Sequence, residues 1–374
     1  MTRSWTLNGG DRLGPHGFEQ TPLHVADGRI ETAAAPDAEE FDASGAWVLP
    51  GIVDLHGDGF EAIVQPRPGV HFPYDIAFQE ADAQMISNGI TTGFHALTVS
   101  WEPGLRDIAV SRALVAALNV VAPRLTCDTH LNIRWETFAL DHVDEVITWL
   151  AKRSGDILSI NDHTSANHKL GEDSAKLQRM AVRMGMSPAD AKAEIESTWS
   201  RREEVPAYLD EICTAATRLG RPILSHDDMT REDRREGRAR QITVAEFPMS
   251  EEAAAEAREA GEHVVLGAPN ALRGESHNGA LCATSAIVQG LCTVLASDYY
   301  YPAPLYAVLR LDKSGVLPLH EGWKLVSANP AAAAGLADRG TLAPGQRADI
   351  VVLDKTTRRI RSVFVDGRRV LNRE

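Results

Sequence analysis

Between about residues 50 and 335, short apolar runs alternate with longer stretches whose apolar positions recur at helical spacing. Eight runs read as strands: 52–56, 91–99, 129–135, 157–162, 222–226, 242–247, 263–267 and 293–298. Helices are predicted at 75–87, 105–121, 141–153, 203–219, 250–260 and 281–290. Eight strand–helix units predict an α/β fold, a (β/α)8 TIM-like barrel. A doubly wound open sheet alternates in the same way, but it wants a glycine-rich phosphate turn after its first strand. Leu55-His-Gly-Asp-Gly is not such a turn. The stretch 168–202 is charged, helical and longer than one crossover needs, so it is expected as a helical insertion.

The two ends of the chain have another rhythm. Residues 1–49 carry brief apolar or alternating runs at Trp5, Leu23 and Trp47, parted by turn signals such as Asp27-Gly28. Residues 336–374 repeat the pattern around Ile350 and Ile360. Both ends are expected to join in one small β-sandwich domain, with the barrel occupying 50–335 between them.

Of the 374 residues, 44% are hydrophobic and 24% charged, which excludes a disordered chain. Lys and Arg number 38 against 52 Asp and Glu, for a net charge of −14. That field disfavours nucleic acid and anionic membranes as partners. A small anionic substrate stays open, because a metal or a few arginines invert the potential locally. The four cysteines form no C-x-x-C, so buried reduced thiols in a cytoplasmic protein are expected. The N-terminus turns polar within a few residues, so no signal peptide is expected. No apolar run nears the roughly 18 residues of a membrane span. A homo-oligomer is compatible with the sequence but not specified by it.

A barrel carries its reactive groups at the C-terminal ends of its strands. The residues there are His56, Asp58, His95, Glu136, Asp162, His163, His226, Asp227, Asp228 and Asp298. Imidazoles and carboxylates meeting at one mouth are the donor set of one or two divalent ions. Zinc is the default, with manganese or iron as alternatives. His95 and His130 lie within strands, where a supporting role is open to either. His16, His24, His71, His142, His168 and His320 are expected to be ordinary surface or packing residues. Three segments offer anion-binding donors: Arg67 between prolines, Arg134 beside Glu136, and the loop bearing Asn270, Arg273, Ser276 and His277. The run 231–240, rich in arginine and glutamate, is expected as a solvated helix face.

Leu49-Pro-Gly-Ile-Val-Asp-Leu-His56, Ala328-Asn-Pro-Ala and Gly340-Thr-Leu-Ala-Pro-Gly-Gln-Arg-Ala-Asp resemble the amidohydrolase superfamily. More specific are His56-Gly-Asp58, Pro66-Arg67-Pro68, Ser225-His226-Asp-Asp, Ala245-Glu-Phe-Pro, Gly267-Ala-Pro-Asn270 with Arg273-Gly-Glu-Ser276-His277, and Ser297-Asp298-Tyr-Tyr. These resemble the PhnM family of the carbon–phosphorus lyase pathway over nearly the whole chain.

The resemblance implies an amidohydrolase-type barrel and a metal-dependent diphosphatase of phosphonate metabolism. Its substrate would be α-D-ribose 1-methylphosphonate 5-triphosphate, cleaved to the 5-phosphate and diphosphate. It also implies metal ligation by His56, Asp58, Glu136, His163, His226 and Asp298, with Glu136 bridging and Asp298 as the catalytic proton acceptor. Arg67, Arg134, Asn270, Arg273, Ser276 and His277 would bind substrate. The chain departs from the family pattern at Thr164–Asn167, at His95 and at Trp135, all expected near the mouth. The alternative activity is cleavage of a C–N bond in a cyclic amide or N-acyl compound.

Overall fold

The computed structural model describes residues 4–67, 69–171, 173–274 and 281–373. Its centre is an eight-stranded parallel sheet whose strands follow one another in chain order. They are Ile52–Gly57, Ile90–Val99, Asp128–Glu136, Ile157–Asn161, Ile223–His226, Val244–Glu246, His263–Gly267 and Val294–Ala296. These are called the first to eighth barrel strands below. A parallel bridge between Gly57 and Asp298 closes the sheet on itself. The Asp298 amide donates to the His56 carbonyl at 2.8 Å, and the Asp58 amide to the Asp298 carbonyl at 3.0 Å. The expected (β/α)8 barrel is present, and every expected strand has a counterpart.

Alternation along the strands sorts residues between the barrel's inside and its outer shell. Val53, Leu55, Phe94, Ile157, Leu224, Val244, Val265, Val294 and Ala296 form one apolar cluster. Residues of seven strands can touch only inside a closed barrel, so this cluster is its filling. Ala331 and Ala333, from the helix Ala328–Ala333, join it. Residues of the opposite parity, such as Leu97, Leu131, Ile133, Trp135 and Ile160, pack outward against the helices.

The 168–202 stretch forms the helices Ala175–Met184 and Pro188–Trp199, with a small core of its own around Leu177, Met180 and Ile195. The run at 231–240 is a helix, Arg231–Ala239, but it is not a merely solvated face. Arg234 is fully buried and pairs with Asp228 at 2.9 Å and Glu262 at 2.6 Å. Acidic groups on neighbouring elements, which periodicity does not show, draw it inward.

The chain ends build a four-stranded and a six-stranded sheet. The larger one interleaves Ala46–Pro50 from the N-terminal part with Ile350–Asp354 from the C-terminal part. Trp5, Leu7, Val25, Phe41, Val352 and Phe364 share the core between the sheets. Asp27-Gly28 turns the Leu23–Ala26/Arg29–Glu31 hairpin, and both residues have positive φ (48° and 75°), as the tight turn requires. Among the described residues, no helix is long and apolar enough to cross a membrane.

Candidate active site

A cavity of about 370 Å³ opens at the C-terminal end of the barrel. His56, Asp58, His163, His226 and Asp298, from the ends of four strands, line it. The His226 ring centroid lies 5.8 Å from that of His56 and 5.7 Å from that of His163. Three sets of side chains bring one donor atom each within 4.8 Å of one another: His56–Asp58–Asp298, His163–His226–Asp227 and His56–His226–Glu246. Glu136 stands behind His163, with its Oε1 at 2.7 Å from His163 Nδ1. Five residues of the expected ligand set thus line one cavity, and Glu136 stands behind one of them. Three imidazoles with several carboxylates are a donor set suited to a divalent ion.

Each donor is held by a neighbour. His56 Nδ1 lies 2.8 Å from Glu246 Oε1, and Glu246 also accepts hydrogen bonds from Asn132 Nδ2 at 2.9 Å and Ser159 Oγ at 2.6 Å. This carboxylate is fully buried. Burial alone would raise its pKa, but His56 and the donated hydrogen bonds bring it down to about 2. Asp227 lies 3.1 Å from His226 Nδ1 and 3.4 Å from His163 Nε2. Glu136 leads in raising the His163 pKa to about 9. Burial lowers that of His226. Burial first, and the Asp58 charge second, push the Asp298 carboxyl up to about 6.

The backbone at the mouth is strained as well. Asp227, Phe247 and Asp298 have φ of 64°, 51° and 55°, left-handed values that non-glycine residues seldom adopt. Asp227 and Phe247 follow directly on barrel strands, and Asp298 comes two residues after the end of the eighth. The Phe247 ring makes T-shaped contacts with His56 and His226, with centroids 4.9 and 5.2 Å away, as an apolar wall.

Of the expected anion-binding residues, Arg134, Asn270 and Arg273 line the cavity. Arg134 is buried, its Nη2 at 3.4 Å from His226 Nε2. The Asn270 side chain is spent on backbone: Nδ2 donates to the Leu281 carbonyl and Oδ1 accepts from the Ala283 amide, both at 3.1 Å. It braces the loop rather than offering donors. Arg67 is exposed in the segment after the helix Gly59–Val64 and does not line the cavity. Ser276 and His277 lie outside the described residues.

Other expectations are corrected. His95 points outward, packed against Phe60 and Phe78, and Trp135 lies in the outer shell with its Nε1 donating to the Ala139 carbonyl. Neither belongs to the mouth, because strand alternation turns both away from it. His130 stacks on Phe94 and pairs with Asp128 at 3.2 Å, at the start of its strand rather than beside the cluster. Asp162 holds Ser165, and Asp228 serves Arg234. Glu246 and Arg106 were not singled out as site residues. Inward parity at the end of the sixth strand is the signal that finds Glu246, whereas Arg106 falls within the expected helix 105–121, which begins at Ile108 and leaves it in the preceding loop.

A model of the amidohydrolase family matches residues 209–371. The α-D-ribose 1-methylphosphonate 5-triphosphate diphosphatase of Escherichia coli (strain K12) is 29% identical over 369 residues, spanning 93% of this chain and 95% of that protein. Over these residues the chain is similar to the amidohydrolase superfamily. It is an enzyme, a metal-dependent hydrolase. Similar solved structures agree on the fold. Molinate hydrolase superposes with a TM-score of 0.64 at 15% identity, over 99% of this chain and 95% of that one. The N-acetylglucosamine-6-phosphate deacetylase of Pasteurella multocida gives 0.62 at 11% identity, over 99% of this chain and 100% of that one.

Proposed function

We propose that this hydrolase cleaves α-D-ribose 1-methylphosphonate 5-triphosphate to the 5-phosphate and diphosphate. The observation that carries the reading is the set of arginines at the cavity. In a chain of net charge −14, Arg106, Arg134 and Arg273 all line the cavity that holds the imidazole–carboxylate cluster. A neutral amide would need no such concentration of positive charge, whereas a triphosphate does. The name of the Escherichia coli relative supports the same substrate.

In this reading His56, Asp58, Glu136, His163, His226 and Asp298 would hold one or two divalent ions, zinc by preference. When bound, such ions lower the pKa of a water and offset phosphate charge. Glu246 fixes His56 from its Nδ1 side, which leaves Nε2 as the donor atom, while the Asp227 carboxylate lies beside His226 at 3.1 Å. Asp298, with its pKa near 6, accepts the proton of the attacking water. The water oxygen joins the α-phosphorus, the bond from that phosphorus to the α–β bridging oxygen breaks, and Asp298 passes its proton to the departing diphosphate. Arg134 and Arg273 hold phosphate oxygens while charge shifts to the leaving group. The four cysteines are unbridged, in keeping with a cytoplasmic enzyme.

Phosphorus NMR of zinc-loaded protein with the triphosphate tests this. Resonances of the 5-phosphate product and of diphosphate are expected. An unchanged spectrum, from protein that turns over an amide panel, would move the activity to C–N hydrolysis.

A further inference from the structure

We infer that Arg106 is a specificity-determining residue that binds the polyphosphate arm of the substrate, held in place by the helical insertion. The inference rests on the proposed function and assigns a role to a residue outside the expected binding set.

Arg106 ends the loop after the second barrel strand and lines the cavity beside His56, Asp58 and Arg134. Its Nη2 donates one hydrogen bond, to Glu61 at 3.3 Å. No other hydrogen bond from its guanidinium is found among the described residues. One carboxylate thus aims the group, while most of its five N–H donors remain available for a ligand. A planar guanidinium with open donors on a cavity wall suits phosphate oxygens. Arg134, by contrast, is buried against His226.

The loop carrying Arg106 is clamped from outside the barrel. Its ends are joined by the Ser100 amide donating to the Arg106 carbonyl at 3.2 Å. Trp101 packs on the insertion's core, and its Nε1 donates to Thr164 Oγ1, next to His163, at 2.8 Å. Glu102 takes two hydrogen bonds from Arg183 of the insertion, at 2.5 and 3.1 Å. Gly104, with φ of 103°, lies so close that a Cβ there would meet the Arg183 carbonyl oxygen at 2.8 Å. The insertion therefore sets where Arg106 stands, and Arg183 is a positioning residue acting through Glu102.

The test measures inorganic tripolyphosphate binding to the zinc-loaded protein by calorimetry, alongside turnover of the ribose triphosphate. Arg106→Ala should weaken tripolyphosphate binding by about 10-fold or more, the loss of one hydrogen bond to a charged group. Arg106→Lys, which keeps the charge, should lose less. Arg183→Ala should raise KM several-fold with kcat held, and Arg183→Lys should recover part of it. Folded Arg106→Ala that binds tripolyphosphate as tightly as wild type overturns the inference, as does wild type that binds none. An unchanged KM in Arg183→Ala overturns the clamp. If wild type fails to cleave the triphosphate while Arg106→Ala still loses tripolyphosphate binding, the proposed substrate falls and the anion site stands.

Discussion

His56 Nδ1 and Glu246 Oε1 lie 2.8 Å apart, joining the end of the first barrel strand to that of the sixth. The contact fixes the tautomer of His56. With Nδ1 donating to the carboxylate, Nε2 is left as a lone-pair donor towards the cavity. Asn132 and Ser159 hold the same carboxylate from the third and fourth strands, so four strands are tied together beneath the cluster.

Glu246→Gln keeps the shape but weakens this anchor. Zinc affinity should fall by about 10- to 100-fold, as for other groups that support a metal ligand. Competition with a chromogenic chelator reads this directly. Unchanged affinity would show that His56 is oriented by packing against Phe247 alone.

Asp298→Asn removes the proposed proton acceptor from a strained position that asparagine also tolerates. Turnover should drop at least ~10²-fold while the circular dichroism spectrum stays native. Activity like that of wild type would place the proton acceptor elsewhere.

His163, with its pKa raised to about 9 chiefly by Glu136, is protonated at pH 7.5 in the metal-free protein. Metal ligation needs neutral imidazole, so zinc uptake at that pH should release about one proton from this residue. Calorimetry in buffers of different ionisation enthalpy counts it. Glu136→Gln, which removes the charge holding the proton, should reduce the count.

Arg234→Ala leaves Asp228 and Glu262 without their buried partner. A loss of about 3 kcal/mol is expected in urea unfolding, because an uncompensated buried charge remains. Replacing all three residues with apolar groups together should cost far less than the single change.

The barrel was legible in the sequence because its strands end in chemistry-bearing residues and its helices keep their spacing. Alternation within the third strand already separates inward Asn132, Arg134 and Glu136 from outward Leu131, Ile133 and Trp135. The same rule, applied to the second strand, turns His95 outward. What periodicity cannot supply is pairing between distant elements. Arg234 resembles its exposed neighbours until Asp228 and Glu262 are placed beside it. Asn270 is a plausible anion donor until its amide is found bracing its own loop. Arg106 falls at the edge of the expected helix 105–121, and only the cavity wall reveals it.

Asp128, at the start of the third strand, joins the barrel to the C-terminal part of the chain. Its Oδ2 receives Arg339 Nη1 at 2.6 Å and Arg347 Nη1 at 2.7 Å. Burial opposes ionisation, but His130, Arg339 and Arg347 outweigh it and hold the carboxyl well below the usual range. A carboxyl depressed in the folded state stabilises above its unfolded pKa of about 3.9 and loses that contribution as pH falls towards the folded value. Asp128→Asn should therefore cost about 2 kcal/mol at neutral pH. The gap between wild type and variant should stay constant from about pH 8 to pH 5 and narrow below about pH 4. Urea unfolding of both proteins across that range measures it. A gap that widens on acidification would reverse the sign and mean that Asp128 is held protonated in the folded protein.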